Sequence, residues 1–214
     1  TEIAQTALIR SNYTSSVFYP EGLTSGYDIQ GVALTDTTEN CLTLNGAEYV
    51  EVPDSEVLPF TGNANEPFSI EAWISIDDLT ALNGVIGKST DAFYIRCLSS
   101  GRVEVFLKGS GGGYIKQEVS SVTSTGWHHL VVTYDGSGNK DNINIFWDSS
   151  EQSNASSESG TYTSLADTSN TVHIGDVNGS SGFGGMLDDV RIYDVVLSDA
   201  EITKNYNAGK SKHS

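Results

Sequence analysis

The stretch "GGMLDDVRIYDVVLSDAEI", residues 184–202, sets two adjacent carboxylates inside an apolar run and then turns into a helix start. Read as a strand from Met186 to Tyr193, it sends successive side chains to opposite faces. Met186, Asp188, Val190 and Ile192 then share one face, and Leu187, Asp189, Arg191 and Tyr193 the other. The two Asp residues cannot converge on one bond, which removes them as a catalytic pair. Asp189 is placed to pair with Arg191 at the surface. Asp188 falls on the face that reads as core, where a charge requires hydrogen-bond donors or a cation. The following "LSDAEITKNYNAG", residues 197–209, carries a capping box in Ser198 and Glu201, with acidic Asp199 in the first turn. Ile202 and Tyr206 lie one turn apart on the face that docks, and Gly209 is the expected stop.

Upstream, short β-patterned runs alternate with turn-rich breaks. "CLTLNG", "EYVEVP", "FSIEAWISI", "AFYIRCL", "RVEVFLKG", "GYIKQEVS", "WHHLVVTYDG", "NINIFWDSS" and "TVHIGD" read as strands; "SSG", "GSGGG" and "DGSGN" read as turns. Strands at this spacing with no helical pattern between them imply an antiparallel sandwich or barrel. Residues 1–40 differ in kind: polar, weakly patterned and broken by Pro20 and several glycines. They read as an N-terminal arm that docks on a partner or on further copies. The rival reading takes residues 26–34, "GYDIQGVAL", as an edge strand. The domain boundaries are therefore an arm at 1–40, a sandwich at 41–209 and a short basic tail at 210–214.

Eleven basic against 28 acidic residues give a net charge of −17, which repels phosphate backbones and argues against nucleic-acid binding. No apolar run approaches the ~20 residues of a membrane-crossing helix. Thr1 fits removal of an initiator Met as well as processing. Cys41 and Cys97 make neither a disulfide framework nor a metal cluster, and two unbridged thiols are the expectation.

Five of these pieces, in order, resemble the laminin-G-like, concanavalin-A-like lectin/glucanase jelly-roll family. They are "LTLNGAEYVEVPDSEVL", "EPFSIEAWISI" with Trp73, "GWHHLVVTYDG", "NINIFWDSS" and "HIGDVNGSSGFGGMLDDVRIYDVVLSDAEI". In the last, Gly185, Asp188, Arg191, Tyr193, Leu197 and Ser198 stand in the expected places, and coverage runs from about residue 42 to about residue 207. The resemblance implies an all-β fold: two antiparallel sheets packed face to face, with one short C-terminal helix. Two departures stand out. The hairpin that usually reads Asp-Gly is Asp148-Ser149, and the usual Trp- or Phe-bearing first strand is not evident in residues 1–40. The fold carries lectins, adhesins, enzyme-attached modules and structural spacers, so function rests on the site.

Retaining glycosidases need carboxylates ~5 Å apart, and the nearest local candidate is "EVPDSE". Glu51 and Asp54 face opposite ways there, while Asp54 and Glu56 sit in a turn. His128, His129, His173 and His213 lack zinc-ligand spacing. His129 shares a face with Trp127 and Val131 and reads as packing, as do Trp73, Trp127 and Trp147. No catalytic residue is expected. The resemblance implies a structural Ca²⁺, for which Asn45, in the Asn45-Gly46 turn, and Asp188 are the named positions. The loop "DGSGNKDN" offers Asp135, Asn139 and Asp141 but lacks a distal Glu, and reads as a hairpin turn. Sugar binding needs an aromatic face flanked by planar polar groups. Tyr114 and Phe183, in glycine-rich loops, are the candidates; the competing reading is that they cover loop ends. The leading expectation is a non-catalytic adhesion or carbohydrate-binding module. It would sit on an extracellular or virion surface, bind a glycan or host-surface polysaccharide, and join a larger assembly through residues 1–40. A purely structural assembly protein is the alternative, and a glycoside hydrolase the third reading.

Overall fold

The computed structural model describes residues 17–18, 27–30, 41–54, 65–120, 124–153, 155–177, 179 and 181–213. The chain forms the strands β1 (Val17–Phe18), β2 (Tyr27–Gln30), β3 (Leu42–Asn45), β4 (Tyr49–Val52) and β5 (Phe68–Ile76), with apolar and polar residues alternating most clearly in β3 and β5. They continue as β6 (Asn83–Gly87), β7 (Phe93–Leu98), β8 (Arg102–Lys108), β9 (Tyr114–Ser120) and β10 (Trp127–Tyr134). The last are β11 (Ile143–Trp147), β12 (Ser150–Glu151), β13 (Ala155–Ser159), β14 (Val172–Ile174) and β15 (Gly184–Tyr193), followed by helix α1 (Asp199–Gly209).

Among the described residues the strands form two antiparallel sheets. The larger has the order β1-β2-β4-β14-β6-β7-β8-β9-β13, and the smaller β12-β11-β10-β5-β15-β3. Every second side chain points between the sheets: Leu42 and Leu44, Phe68 to Ile76 by twos, Val103, Val105 and Leu107, and Leu130, Val132 and Tyr134. Each such side chain contributes roughly 1.5–3 kcal/mol of burial, which offsets the entropy of ordering the backbone. The backbone of Tyr27–Gln30 pairs with β4 through Ile29↔Val50 and Gln30↔Tyr49, the edge-strand placement of the rival reading.

β5 is buried along its whole length because both of its faces are covered. Phe68, Ile70, Ala72, Ile74 and Ile76 face the core, while Ser69, Glu71 and Trp73 lie beneath α1, with Tyr206 and Asn205 of the helix reaching Trp73 and Glu71. The helix starts as the sequence requires: Ser198 accepts from the Glu201 N–H, and the Glu201 carboxylate takes the Ser198 N–H at 2.9 Å. Gly209 has a different role from the expected stop. The next residue, Lys210, is still right-handed helical, so no left-handed cap ends the helix. A Cβ on Gly209 would sit 2.3 Å from Trp73 Nε1, so the glycine lets the helix end lie on the indole.

The face assignment of β15 needs correction. Pairing to β5 runs Leu187↔Ile74 and Asp188↔Trp73, then resumes at Arg191↔Glu71, so three steps on β15 match two on β5. Asp189 adopts φ 48° at this bulge. The extra residue resets the alternation. Leu187, Val190 and Ile192 face the core, whereas Asp188, Arg191 and Tyr193 share the outer face beneath α1 and the tail. Asp188 is thus outside the core; its Oδ1 accepts the Asp189 N–H at 2.8 Å and its Oδ2 meets His213 Nε2 at 3.0 Å. Asp189 pairs with Arg191 as expected, at 3.1 Å, but is buried rather than at the surface.

Candidate functional site

All charged residues of β7, β8 and β9 fall on one side, because the other side of each strand supplies the core. β7 turns Tyr94, Arg96 and Leu98 outward, β8 turns Arg102, Glu104, Phe106 and Lys108 outward, and β9 turns Tyr114, Lys116 and Glu118 outward. Three rings make a ladder across these strands. Tyr94 and Phe106 are register partners with centroids 4.8 Å apart and planes within 4°; Tyr114 follows at 5.1 Å, tilted by 33°. The Arg96 guanidinium lies 4.5 Å from the Tyr94 ring centre. Phe106 is enclosed by rings on both sides. Tyr114 ends the ladder, and beyond it β13 places Ser159 opposite, so one ring face has only a small neighbour. The turn before Tyr114 packs tightly on the chain ahead: a Cβ on Gly113 would lie 2.5 Å from the Thr161 backbone. This close approach fixes the strand start that carries Tyr114.

Beside the rings stand two carboxylates that sequence spacing hid. Glu104 and Glu118 are direct partners across β8 and β9, which puts their Cβ atoms about 5 Å apart. That separation suits a retaining glycosidase, but their surroundings do not. Arg96 reaches Glu104 at 2.6 Å, Lys116 reaches Glu104 at 3.1 Å and Glu118 at 2.6 Å, and Arg102 also pairs with Glu118. Hydrogen bonding from Lys116 holds Glu118 below the ordinary carboxylate range, and the bond to Glu118 raises Lys116 in return. A general acid needs a carboxyl pushed upward. This pair instead forms a rigid charged lattice able to hydrogen-bond hydroxyls and anions.

Of the residues singled out from sequence, Tyr114 belongs to this face. Phe183 does not. It is 0% exposed within the core and offers no ring face to a ligand, because its loop folds back through the Phe183 N–H to Gly175 O bond at 2.8 Å. Asn45 and Asp188 are not brought together. Asn45 pairs with Gly184, and Asp188 lies four residues further along β15, roughly 13 Å away. The Asn45 amide is engaged by Glu48 and the Ala47 N–H, and Asp188 by His213 and Asp189. Among the described residues no group of three His, Cys, Asp or Glu side chains gathers at either position. In the loop "DGSGNKDN", Asp135 accepts the Ser137 N–H and Asn139 caps a 3₁₀ turn over Lys140–Asn142, as a hairpin connection should. Asp54 pairs with buried Lys88 at 2.7 Å, and Glu56 lies outside the described residues.

The outer face of the smaller sheet holds a second polar cluster, closed over by α1. Buried Glu71 accepts from Arg191, from Tyr193 Oη at 2.9 Å and from Asn205 Nδ2 at 2.8 Å. His129, 1% exposed, sits 3.8 Å from Glu71 with neither ring nitrogen hydrogen-bonded among the described residues. Burial lowers its pKa to about 4, outweighing the attraction of Glu71, so the ring is neutral. At the sheet end, Ser124 Oγ lies 2.6 Å from His128 Nε2, and His128 Nδ1 lies 2.8 Å from Asp148 Oδ2. The other Asp148 oxygen takes the His129 N–H at 3.0 Å, so this chain of contacts fixes the Asp148-Ser149 turn. Cys41 and Cys97 form no disulfide; burial pushes the Cys97 thiol up to about 12, which leaves it inert.

Comparison with solved structures finds the same architecture in bacterial toxin binding domains. The binding domain of Paraclostridial mosquitocidal protein 1 superposes with a TM-score of 0.68 at 14% identity, over 95% of this chain and 52% of that one. Botulinum neurotoxin type C, whose cell entry is dependent upon interaction with two ganglioside molecules, gives 0.69 at 16%, over 96% and 51%. The botulinum neurotoxin serotype D binding domain gives 0.65 at 16%, over 96% and 52%. The chain thus spans about half the length of these structures, and at such identities the likeness concerns the fold. A search of curated proteins finds no matching sequence. The laminin-G model described as concanavalin A-like lectin/glucanases superfamily matches residues 44–203 of the 214, and the chain belongs to that superfamily.

Proposed function

We propose that this chain is a non-catalytic carbohydrate-binding module whose sugar site is the outer face of β7–β9, centred on Tyr114. The observation that carries the reading is the ring ladder that ends at Tyr114, open on one side and set among guanidinium, ammonium and carboxylate groups. A pyranose stacks its C–H face on such a ring while its hydroxyls meet the charged lattice. Membership of a lectin-containing superfamily supports this, as does the ganglioside dependence of a neurotoxin of the same fold. Tyr114→Ala should weaken glycan binding several-fold, equivalent to roughly 1 kcal/mol; unchanged affinity on an array or in calorimetry would place the site elsewhere. Incubation with polysaccharides should release no reducing ends, since the Glu104–Glu118 pair is clamped by cations.

The module is displayed on an extracellular or virion surface as a decoration or appendage, with residues 1–40 joining it to the larger assembly. The competing reading is an assembly protein without sugar binding. Incorporation of a chain lacking those residues into native particles decides between anchoring and its absence.

A further inference from the structure

We infer that the β7–β9 face selects acidic carbohydrate, a pyranoside bearing a carboxylate such as a uronate, with Lys108 holding the anionic group. This rests on the sugar-binding reading above and makes it specific. The chain as a whole has 11 basic and 28 acidic residues. The three strands reverse that balance: Arg96, Arg102, Lys108 and Lys116 against Glu104 and Glu118, four positive to two negative. Counter-charge beside Lys108 comes from Asp91 and Asp167, next to the Ala92 and Ala166 groups that bond the Lys108 backbone, and Asp167 is paired with Lys88 at 3.5 Å. The row through Phe106 runs outward as Lys116 and Ser157 on one side, and as Tyr94, Gly87, His173 and Glu51 on the other. Glu51 is three strands from β7, roughly 14 Å away.

Three of the four cations are committed to the two carboxylates. Lys108 has no ion pair among the described residues, and it is the direct register partner of Tyr114. Their Cβ atoms are therefore about 5 Å apart on one face. A sugar ring stacked on Tyr114 brings an equatorial substituent within reach of the Lys108 ammonium, and a carboxylate there completes an ion pair. A neutral sugar leaves the ammonium solvated and gains nothing from it. In an otherwise negative molecule, this face is also the local target toward which a polyanion is steered.

The test is calorimetric titration with a short oligouronate and with a neutral oligoglucan, each against the wild type, Lys108→Gln and Tyr114→Ala. Expected is a preference of at least about tenfold for the oligouronate, lost in Lys108→Gln while neutral binding is unchanged. Raising salt from about 50 mM to about 500 mM should weaken only the acidic ligand, because exposed charges are screened. Both variants change half-exposed positions and should melt like the wild type, which separates a lost contact from a lost fold. Equal affinity for the two ligands, with Lys108→Gln silent and Tyr114→Ala weakened, overturns the acidic preference and leaves the sugar site standing. Absence of binding by either ligand, on a glycan array as well, overturns both.

Discussion

His213 lies flat on Trp73, ring centroids 4.3 Å apart and planes within 8°. Trp127 meets the same imidazole edge-on at 4.7 Å, Gly209 O lies 2.8 Å from its Nδ1, and Asp188 is 3.0 Å from its Nε2. In the short basic tail Lys210, Ser211 and Lys212 stay exposed, while His213 is buried as a plug over the smaller sheet.

His213→Ala should therefore lower stability by about 1–2 kcal/mol through lost stacking and hydrogen bonding. Asp188→Ala should cost about 1–3 kcal/mol, since it strips a partner from His213 and from the bulge N–H. The pair should be non-additive in urea titrations because the two residues share one contact. Wild-type midpoints in both variants would show the tail to be energetically idle.

Glu71→Ala leaves Arg191, Tyr193 and Asn205 facing a void under α1. Removing one partner of a buried charge pair typically costs about 3–5 kcal/mol. Chemical denaturation reads this directly, and a loss under about 1 kcal/mol would mean that α1 is held by Ile202 and Tyr206 alone.

His129 sets an acid limb. Burial lowers its folded pKa to about 4, against an unfolded value near 6.5. Between these values the unfolded chain binds a proton that the folded chain refuses. Stability that is complete above about pH 6.5 thus declines as pH falls toward about 4, by up to about 3 kcal/mol. His129→Gln should flatten this part of the stability–pH curve. Parallel curves for variant and wild type would contradict the neutral buried imidazole.

The β11–β12 hairpin turns on two residues in the left-handed region, Asp148 at φ 51° and Ser149 at φ 65°. A side chain there costs roughly 1 kcal/mol, which glycine avoids while losing some unfolded-state entropy. Ser149→Gly should raise stability by a few tenths to about 1 kcal/mol, seen as a higher melting temperature. A lower one would show that Ser149 makes a contact worth more than the strain.

A chain beginning at Glu39 loses β1 and β2 and keeps every residue of the two-sheet core from Leu42 onward. It should stay soluble and melt cooperatively, at a lower temperature because β4 loses its edge partner. An unfolded product would make the arm part of the core.

The sandwich is legible because alternation and turn residues are local signals. "FSIEAWISI" and "WHHLVVTYDG" can hardly be other than paired strands, and Ser198 with Glu201 starts a helix in any context. What escapes is whatever depends on registration between strands distant in sequence. Tyr94, Phe106 and Tyr114 come from three strands and give no spacing signal, and Glu104 and Glu118 are fourteen residues apart. A glycine-rich neighbourhood around Phe183 suggests exposure, whereas the small residues let the loop close over the ring. One signal was available: on β7 to β9 the positive residues alternate with apolar ones in an acidic chain. That pattern marks a basic sheet face before any pairing is known.

The bulge at Asp189 also sets how β15 can change in length. Deleting that one residue would straighten the strand and keep its sidedness: Val190 would stand opposite Ala72 and face the core, and Arg191 would stay opposite Glu71. Removing two residues, Asp189 and Val190, would instead bring Arg191 opposite Ala72 and turn it into the sandwich, away from Glu71. The strand behaves as a two-phase track, and the single extra residue is the point at which its phase is switched.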